Sequence, residues 1–485
     1  MQMSISSTLI IIGAGPKALA IAAKATVLSE VGLRVPEIHI VERAEIGAHW
    51  SGRAGYTNGR QPLGTPPEKD LGFPYQSTDW GPELSARINR EMHRFSWQSF
   101  LVAHDRYADW VDRGRPAPEH RHWAQYLQWV AASVGPHVRF HQGTVTTAAI
   151  QGDRWSVTFE GLEGREQLWG DGLVLTGPGR VRAPRSTPSH QRILTVESFW
   201  RDYLRFQQLD QARITIVGGG ETAAAIALGL VQLGRPGLQI DLVTPKGLIY
   251  SRGESFRENR VYSDAANGHW SQLTAEHRRD FIRRTDQGVF SQAALQVLDQ
   301  SDALRLIPGN LVEVSLDAEG LPLIGLEYDG ARWRQGSDYV ILATGADHLA
   351  TLNSLLDDRT RDEILARTGL GAFTQEQVEE SITTDLSIEG LTPRLHLPML
   401  SAMSQGPGFS NLSCLGRLSD RILEPYVGGA VVEDSTVAEM STKRGRVVLL
   451  PSTDSTKPGT PSLRWPPPPL RPPIQGGKVA GRCAP

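Results

Sequence analysis

Cysteine is nearly absent, with two in 485 residues, Cys414 and Cys483. So few, so far apart, supply no disulfide framework, no metal motif and no paired-thiol redox couple, which excludes the disulfide reductases although they too carry two dinucleotide sites. A surplus of one charge is missing as well. Lys and Arg number 50 against 53 Asp and Glu, a formal charge of −3, so there is no electrostatic footprint for nucleic acid. Long apolar runs are also lacking. The N-terminal stretch Leu9–Ile12 is too short for a signal-peptide core and leads directly into a glycine turn, so a cytoplasmic protein with no membrane partner is expected. No Ser/His/Asp or Cys/His arrangement points to a side-chain nucleophile.

Glycine, by contrast, is concentrated where it carries meaning. Gly13-Ala14-Gly15-Pro16-Lys17-Ala18 follows the apolar run TLIII, and Gly218-Gly219-Gly220-Glu221-Thr222-Ala223 follows RITIV about two hundred residues later. In each, the first Gly makes a tight turn, the second admits backbone N–H groups to a pyrophosphate, and a small third residue lets the helix pack on the strand. The Ala-rich segments after them have helical periodicity, so each turn should rest a pyrophosphate on a helix N-terminus. Two such turns imply two dinucleotides.

The first unit continues with the strand EIHIVER, ending at Glu42, where a carboxylate would accept hydrogen bonds from ribose hydroxyls. Residues 44–80 are rich in Gly and Pro and read as an irregular, function-bearing stretch. From Glu91 to Val130 the pattern is helical, with aromatics at spacings that read as core. The strand after the second turn, LQIDLVTP, ends without an acid; Lys246 and Arg252 follow, as expected if the ribose bears a 2′-phosphate, which favours NADPH. The fold class is α/β, with two Rossmann-like dinucleotide-binding domains. Residues 1–185 and 320–429 are assigned to the first, and 186–319 to the second, including a helical insertion at 253–300. Residues 430–485, with RWPPPPLRPP, read as a disordered Pro-rich tail.

The segment Asp338-Tyr339-Val340-Ile341-Leu342-Ala343-Thr344-Gly345, with the two Gly turns in order, resembles the D-x-x-x-[LF]-A-T-G marker of the flavin-dependent N-hydroxylating monooxygenases, the ornithine and lysine N-hydroxylases. Gly13 to Pro16 resembles the family's G-x-G-P turn, Trp50 its tryptophan after the second strand, and GFSNLSCLGR its closing flavin-contacting turn, including Ser410. RQPLGTPPEKDL resembles its M/L-Q-x-S-F-L-K-D-L stretch with three extra residues, matching Gln61 and Lys69. The Baeyer–Villiger relatives' F-x-G-x-x-x-H signature is absent from 178–212.

The resemblance implies FAD at Gly13, Gly15, Pro16, Glu42, Trp50, Gln61, Thr344, Gly345 and Ser410, and NADPH at Gly218, Gly220, Glu221, Thr222, Lys246 and Arg252. NADPH reduces FAD, and the reduced flavin captures molecular oxygen and passes one atom to an amino acid's amine. The family also implies a homo-oligomer. Lys69 would hold the amino acid's carboxylate, and Asn259 is the candidate for the family's substrate asparagine. The family's S-P-F-V-N-E-I-F segment becomes Glu254-Ser255-Phe256-Arg257-Glu258-Asn259-Arg260-Val261-Tyr262, and its T-N-Y-S becomes Gln287-Gly288-Val289-Phe290-Ser291. Two added arginines, Arg257 and Arg260, suit a substrate with two carboxylates. L-aspartate oxidised at its α-amine toward nitrosuccinate is therefore the lead expectation, with ornithine or lysine as the alternative and a non-catalytic flavin- or partner-binding protein as a reading of another class.

Overall fold

The computed structural model describes residues 7–177 and 179–428, so the Pro-rich tail lies outside the described residues. Strand β1 (Thr8–Ile12) enters the first glycine turn, and Pro16 opens helix α1 (Pro16–Glu30). Gly13 has φ +98°, and a Cβ there would come within 2.7 Å of the Thr176 hydroxyl. Only glycine serves at that corner. Helix α1 is buried on every side from Pro16 to Leu28, which explains why its sequence is mostly Ala, Leu, Ile and Val rather than amphipathic, its two lysines being buried with partners of their own.

The chain continues through β2 (Glu37–Glu42), β3 (Val138–Gln151), β4 (Arg154–Gly161), β5 (Gly164–Gly170) and β6 (Gly172–Leu175). Strands β6, β1, β2 and β3 pair in parallel, Leu9 facing both Ile38 and Gly172, while β4 and β5 continue the sheet antiparallel. Between β2 and β3 the aromatic block packs on itself: Trp97, Trp123 and Tyr126 are buried, with ring centroids 4.8–5.9 Å apart. The core reading of these aromatics agrees with the structure.

Strand β7 (Arg180–Val181) leaves the first domain. The second sheet then assembles from β8 (Ile193–Thr195), β9 (Ala212–Val217), β10 (Leu238–Thr244) and β11 (Leu304–Pro308), with the three-stranded β12 (Asn310–Leu316), β13 (Pro322–Tyr328) and β14 (Ala331–Gly336) beside it. Three helices, Phe256–Ser263, Ala275–Thr285 and Gln292–Leu298, make up the insertion.

One expectation needs correction here. Residues 320–429 were assigned to the first domain, yet β15 (Tyr339–Leu342), the strand of the D-x-x-x-L-A-T-G marker, pairs in parallel with β9 and β8 in the second sheet. The chain crosses back only at β16 (Ala346–Asp347), which pairs antiparallel with β7 to form a two-stranded ribbon. Strand β17 (Arg394–His396) then joins β6 at the edge of the first sheet. A four-residue apolar strand satisfies either sheet equally well; the register with β9 is what selects one.

Candidate functional site

The first turn is built to receive an anion. Gly15 caps α1 with open space where a Cβ would stand, and no acidic side chain lies in the helix's first turn. Glu42, at the end of β2, accepts the Ala14 N–H at 2.8 Å and the Ala44 N–H at 2.9 Å, which fixes its carboxylate beside the turn. Ser410 presents its carbonyl rather than its hydroxyl: Lys17 Nζ donates to it at 2.9 Å, and the hydroxyl donates to Pro407. Burial pushes the Lys17 ammonium down to about 8.

The second turn is closed by the strand that was misplaced from sequence. Gly218 has φ +142°, and a Cβ there would overlap the Ala343 carbonyl oxygen, while Ala343 N–H donates to Val217. Thr344 and Gly345 therefore lie just past the second turn, where Gly345 accepts from Arg182 N–H and the Thr344 hydroxyl donates to the Arg182 carbonyl. That placement sets them beside the second turn, at the ribbon that joins the two domains. Gly220 caps the helix Glu221–Val231. Lys246 follows β10, its ammonium bonded to the carbonyls of Arg283, Gln287 and Gly288.

Between the first domain's 49–65 loop and the helix Glu221–Val231 lies a cavity of about 180 Å³ whose lining includes Trp50, Gln61, Gly64, Glu221, Thr222 and Arg252. It draws five of the sequence-derived residues together. Gln61 is fully buried, and its amide nitrogen is a buried donor without a partner. An orphaned donor at a cavity fits a flavin, whose ring carries carbonyl and nitrogen acceptors. Read without the three-residue gap, Leu63–Leu71 also falls on the M/L-Q-x-S-F-L-K-D-L pattern and puts Gly64 in the glutamine's place. A Cβ on Gly64 would lie 3.2 Å from the Glu221 carboxylate, so the absent side chain makes way for Glu221. Gln61 is then the one amide side chain in the cavity lining.

Burial pushes the Glu221 carboxyl up to about 7, opposed by Arg252 and by hydrogen bonds from Ser291. Arg252 bonds to the Gly64 carbonyl and the Thr65 hydroxyl and pairs with Asp286 at 3.2 Å. Its contacts are thus with the first domain's loop and the cavity, whereas Lys246 sits at Gly288 beside the second turn.

Lys69 and Asn259, 190 residues apart, meet directly: Lys69 Nζ donates to Asn259 Oδ1 at 2.5 Å. Asn259 is held in turn by donation to the Glu254 carbonyl at 2.8 Å. The insertion helix begins at Phe256 because Ser255 and Glu258 form a capping box, which places Asn259 on the next turn. Desolvation, then the nearby Arg252 charge, push the Lys69 ammonium down to about 8. The two arginines behave differently. Arg260 is spent on an ion pair with Asp264 at 3.2 Å, and Arg257 is exposed. The expectation of paired guanidiniums for a second carboxylate finds no support in that arrangement.

Sequence reasoning missed Thr57, His120 and Asp286. Only tertiary pairing brings them here, as where His120 N–H donates to the Gln61 carbonyl. A larger open cleft of about 890 Å³ runs along residues 52–60 and 197–207, and none of the sequence-derived residues lines it. Among the described residues no cluster is suited to a metal ion, and no helix is long and apolar enough to cross a membrane.

Comparison with known proteins adds the following. The profile of the L-lysine 6-monooxygenase/L-ornithine 5-monooxygenase family matches residues 89–302. L-lysine N6-monooxygenase MbtG of Mycobacterium sp. (strain MCS) is 41% identical over 429 residues, covering 87% of this chain and 96% of that protein. Its counterpart in Mycobacterium tuberculosis is 40% identical over 422 residues, covering 86% and 94%. The solved structure of lysine monooxygenase NbtG from Nocardia farcinica, reported for an unprecedented NADPH-domain conformation, superposes with TM-score 0.74 at 39% identity, covering 86% of this chain and 98% of that one. An ornithine N-hydroxylase from Kutzneria sp. 744 shares the fold at 18% identity, TM-score 0.68, over 87% and 99%.

Proposed function

The chain belongs to the L-lysine 6-monooxygenase/L-ornithine 5-monooxygenase family, and from that premise we propose that it is an FAD- and NADPH-dependent monooxygenase that hydroxylates the side-chain amine of L-lysine. The observation that carries this reading is the Lys69–Asn259 pair. One cation and one amide, held together across the two domains, suit a single α-carboxylate. Two relatives at 40% and 41% identity, matched over nearly their whole length, are named for lysine, which supports this substrate over the aspartate first expected.

FAD would lie along Gly13, Gly15 and Glu42 with Gln61 and Trp50 at its ring, and NADPH along Gly218 and Gly220. When bound, NADPH would supply the reducing equivalents and the flavin the oxygen activation that no side chain here can provide. The protein's own work is positional. Lys69 and Asn259 anchor the carboxylate, so the substrate's amine reaches away from them. Gln61 offers its amide N–H groups, and the buried walls keep water out. An amine reacts only through its lone pair, so a poorly hydrated cavity that disfavours the ammonium helps directly.

The test is a coupled assay of lysine, ornithine and aspartate side by side, reading NADPH oxidation and hydroxylamine product. Lysine should give coupled turnover with the highest kcat/KM. Product formed from aspartate or ornithine alone would overturn the lysine assignment, and no coupled product from any of the three would overturn the hydroxylase reading.

A further inference from the structure

Gln61 alone does not decide which end of its amide faces the cavity, because oxygen and nitrogen can exchange places by rotation of the terminal bond. In the structure Oε1 faces Thr57, and that orientation and the tautomer of His120 require each other. Thr57 is buried, and its hydroxyl oxygen accepts the Gly59 N–H at 3.1 Å and stands 3.2 Å from His120 Nδ1. The same hydroxyl donates its one proton to Gln61 Oε1. A hydroxyl has one proton and two lone pairs, so with Gly59 and Gln61 served, His120 must donate from Nδ1 to the remaining lone pair. The imidazole is neutral, since desolvation pushes it down to about 3, and a neutral ring carries a single N–H. Its tautomer is therefore set as Nδ1–H.

The chain of donors then runs one way, from His120 Nδ1–H to Thr57 and from the Thr57 hydroxyl to Gln61 Oε1. Backbone pairing holds the participants in place, since His120 N–H donates to the Gln61 carbonyl at 2.9 Å and Leu63 N–H to Pro118 at 2.8 Å. What is left over is the Gln61 amide nitrogen, buried and without a partner, at the cavity that both Gln61 and His120 line.

We infer that Thr57 and His120 are positioning residues that lock Gln61 with its N–H groups turned toward the flavin ring. Were His120 protonated at Nε2 instead, Thr57 would have to give its proton to Nδ1, and the amide would turn its oxygen to the cavity. An acceptor would then face the flavin's place, where a donor would favour the more electron-rich form of the ring. This inference rests on the proposed reading of Gln61 as a flavin contact.

The experiment compares Gln61→Ala, Thr57→Val, Thr57→Ser, His120→Asn and His120→Leu as purified holoenzymes. It reads the visible flavin spectrum, FAD affinity, and the partition of NADPH oxidation between hydroxylamine and hydrogen peroxide. Thr57→Val keeps the shape and loses the hydroxyl; it should reproduce the spectral shift of Gln61→Ala and lower the product-to-peroxide ratio about fivefold, the worth of one hydrogen bond. KM for lysine and NADPH should stay within about twofold of the parent, because neither ligand's anchor is touched. Thr57→Ser and His120→Asn, which retain the hydroxyl and the donor at the Nδ1 position, should restore the parent behaviour, and His120→Leu should not. If Gln61→Ala shifts the spectrum while Thr57→Val does not, or if Thr57→Ser is as impaired as Thr57→Val, the positioning role is overturned and the flavin contact stands. A parent-like Gln61→Ala overturns the flavin contact itself. Should Thr57→Val not fold, the His120→Asn and His120→Leu pair decides by the same readouts.

Discussion

Lys69 can hold a carboxylate only while it carries its proton, and its ammonium is pushed down to about 8. The protonated fraction falls as pH rises through that value, so KM for lysine should climb between about pH 7.5 and 9 while kcat follows the substrate amine. A pH series of steady-state kinetics checks this. Lys69→Arg, charged throughout the range, should flatten the rise. Lys69→Met should raise KM about tenfold or more below about pH 7.5, the cost of one charge-assisted hydrogen bond, and the gap to the parent should narrow as pH rises past 8. Arg260→Ala should leave lysine kinetics near the parent's, because Arg260 is engaged with Asp264 rather than with Lys69 or Asn259; a large rise in KM would return Arg260 to the substrate site. The residue types were legible in the sequence, but not their partners. Lys69 and Asn259 are 190 positions apart, and no local pattern encodes a hydrogen bond between them.

Among the elements, helix α1 and the helix Leu415–Leu423 are joined by a buried ion pair, Lys24 to Asp420 at 2.7 Å, which the Ser77 hydroxyl and the Trp80 indole N–H extend. Removing one partner strands the other in the core. Lys24→Met should destabilise the protein by about 3–5 kcal/mol, seen as flavin release at a lower temperature in a thermal melt. The second turn makes a separable prediction: Gly218→Ala forces a Cβ against the Ala343 carbonyl from a backbone conformation that favours glycine. Flavin reduction by NADPH should fall sharply, whereas FAD content and reduction by dithionite should not change. Both glycine turns were legible because strand, turn and helix are contiguous and each leaves its own period. The sheet to which Tyr339–Leu342 belongs was not, since an unbroken run of four apolar residues satisfies the first sheet and the second alike.

For the whole molecule, every residue placed in the site lies before position 429, so deleting 430–485 should leave coupled lysine turnover unchanged, measured as product per NADPH oxidised. Loss of coupling on deletion would bring the tail into the function. The class of the protein, two dinucleotide sites in an α/β chain, was determined by sequence alone, because glycine turns, helix caps and apolar periods are properties of neighbouring residues. The tertiary structure alone decided which turn the A-T-G strand closes, that Lys69 meets Asn259 while Arg260 turns to Asp264, and that Gln61, Thr57 and His120 come together. Those outcomes depend on contacts between distant segments, where burial forces each donor to find an acceptor and local sequence does not say which.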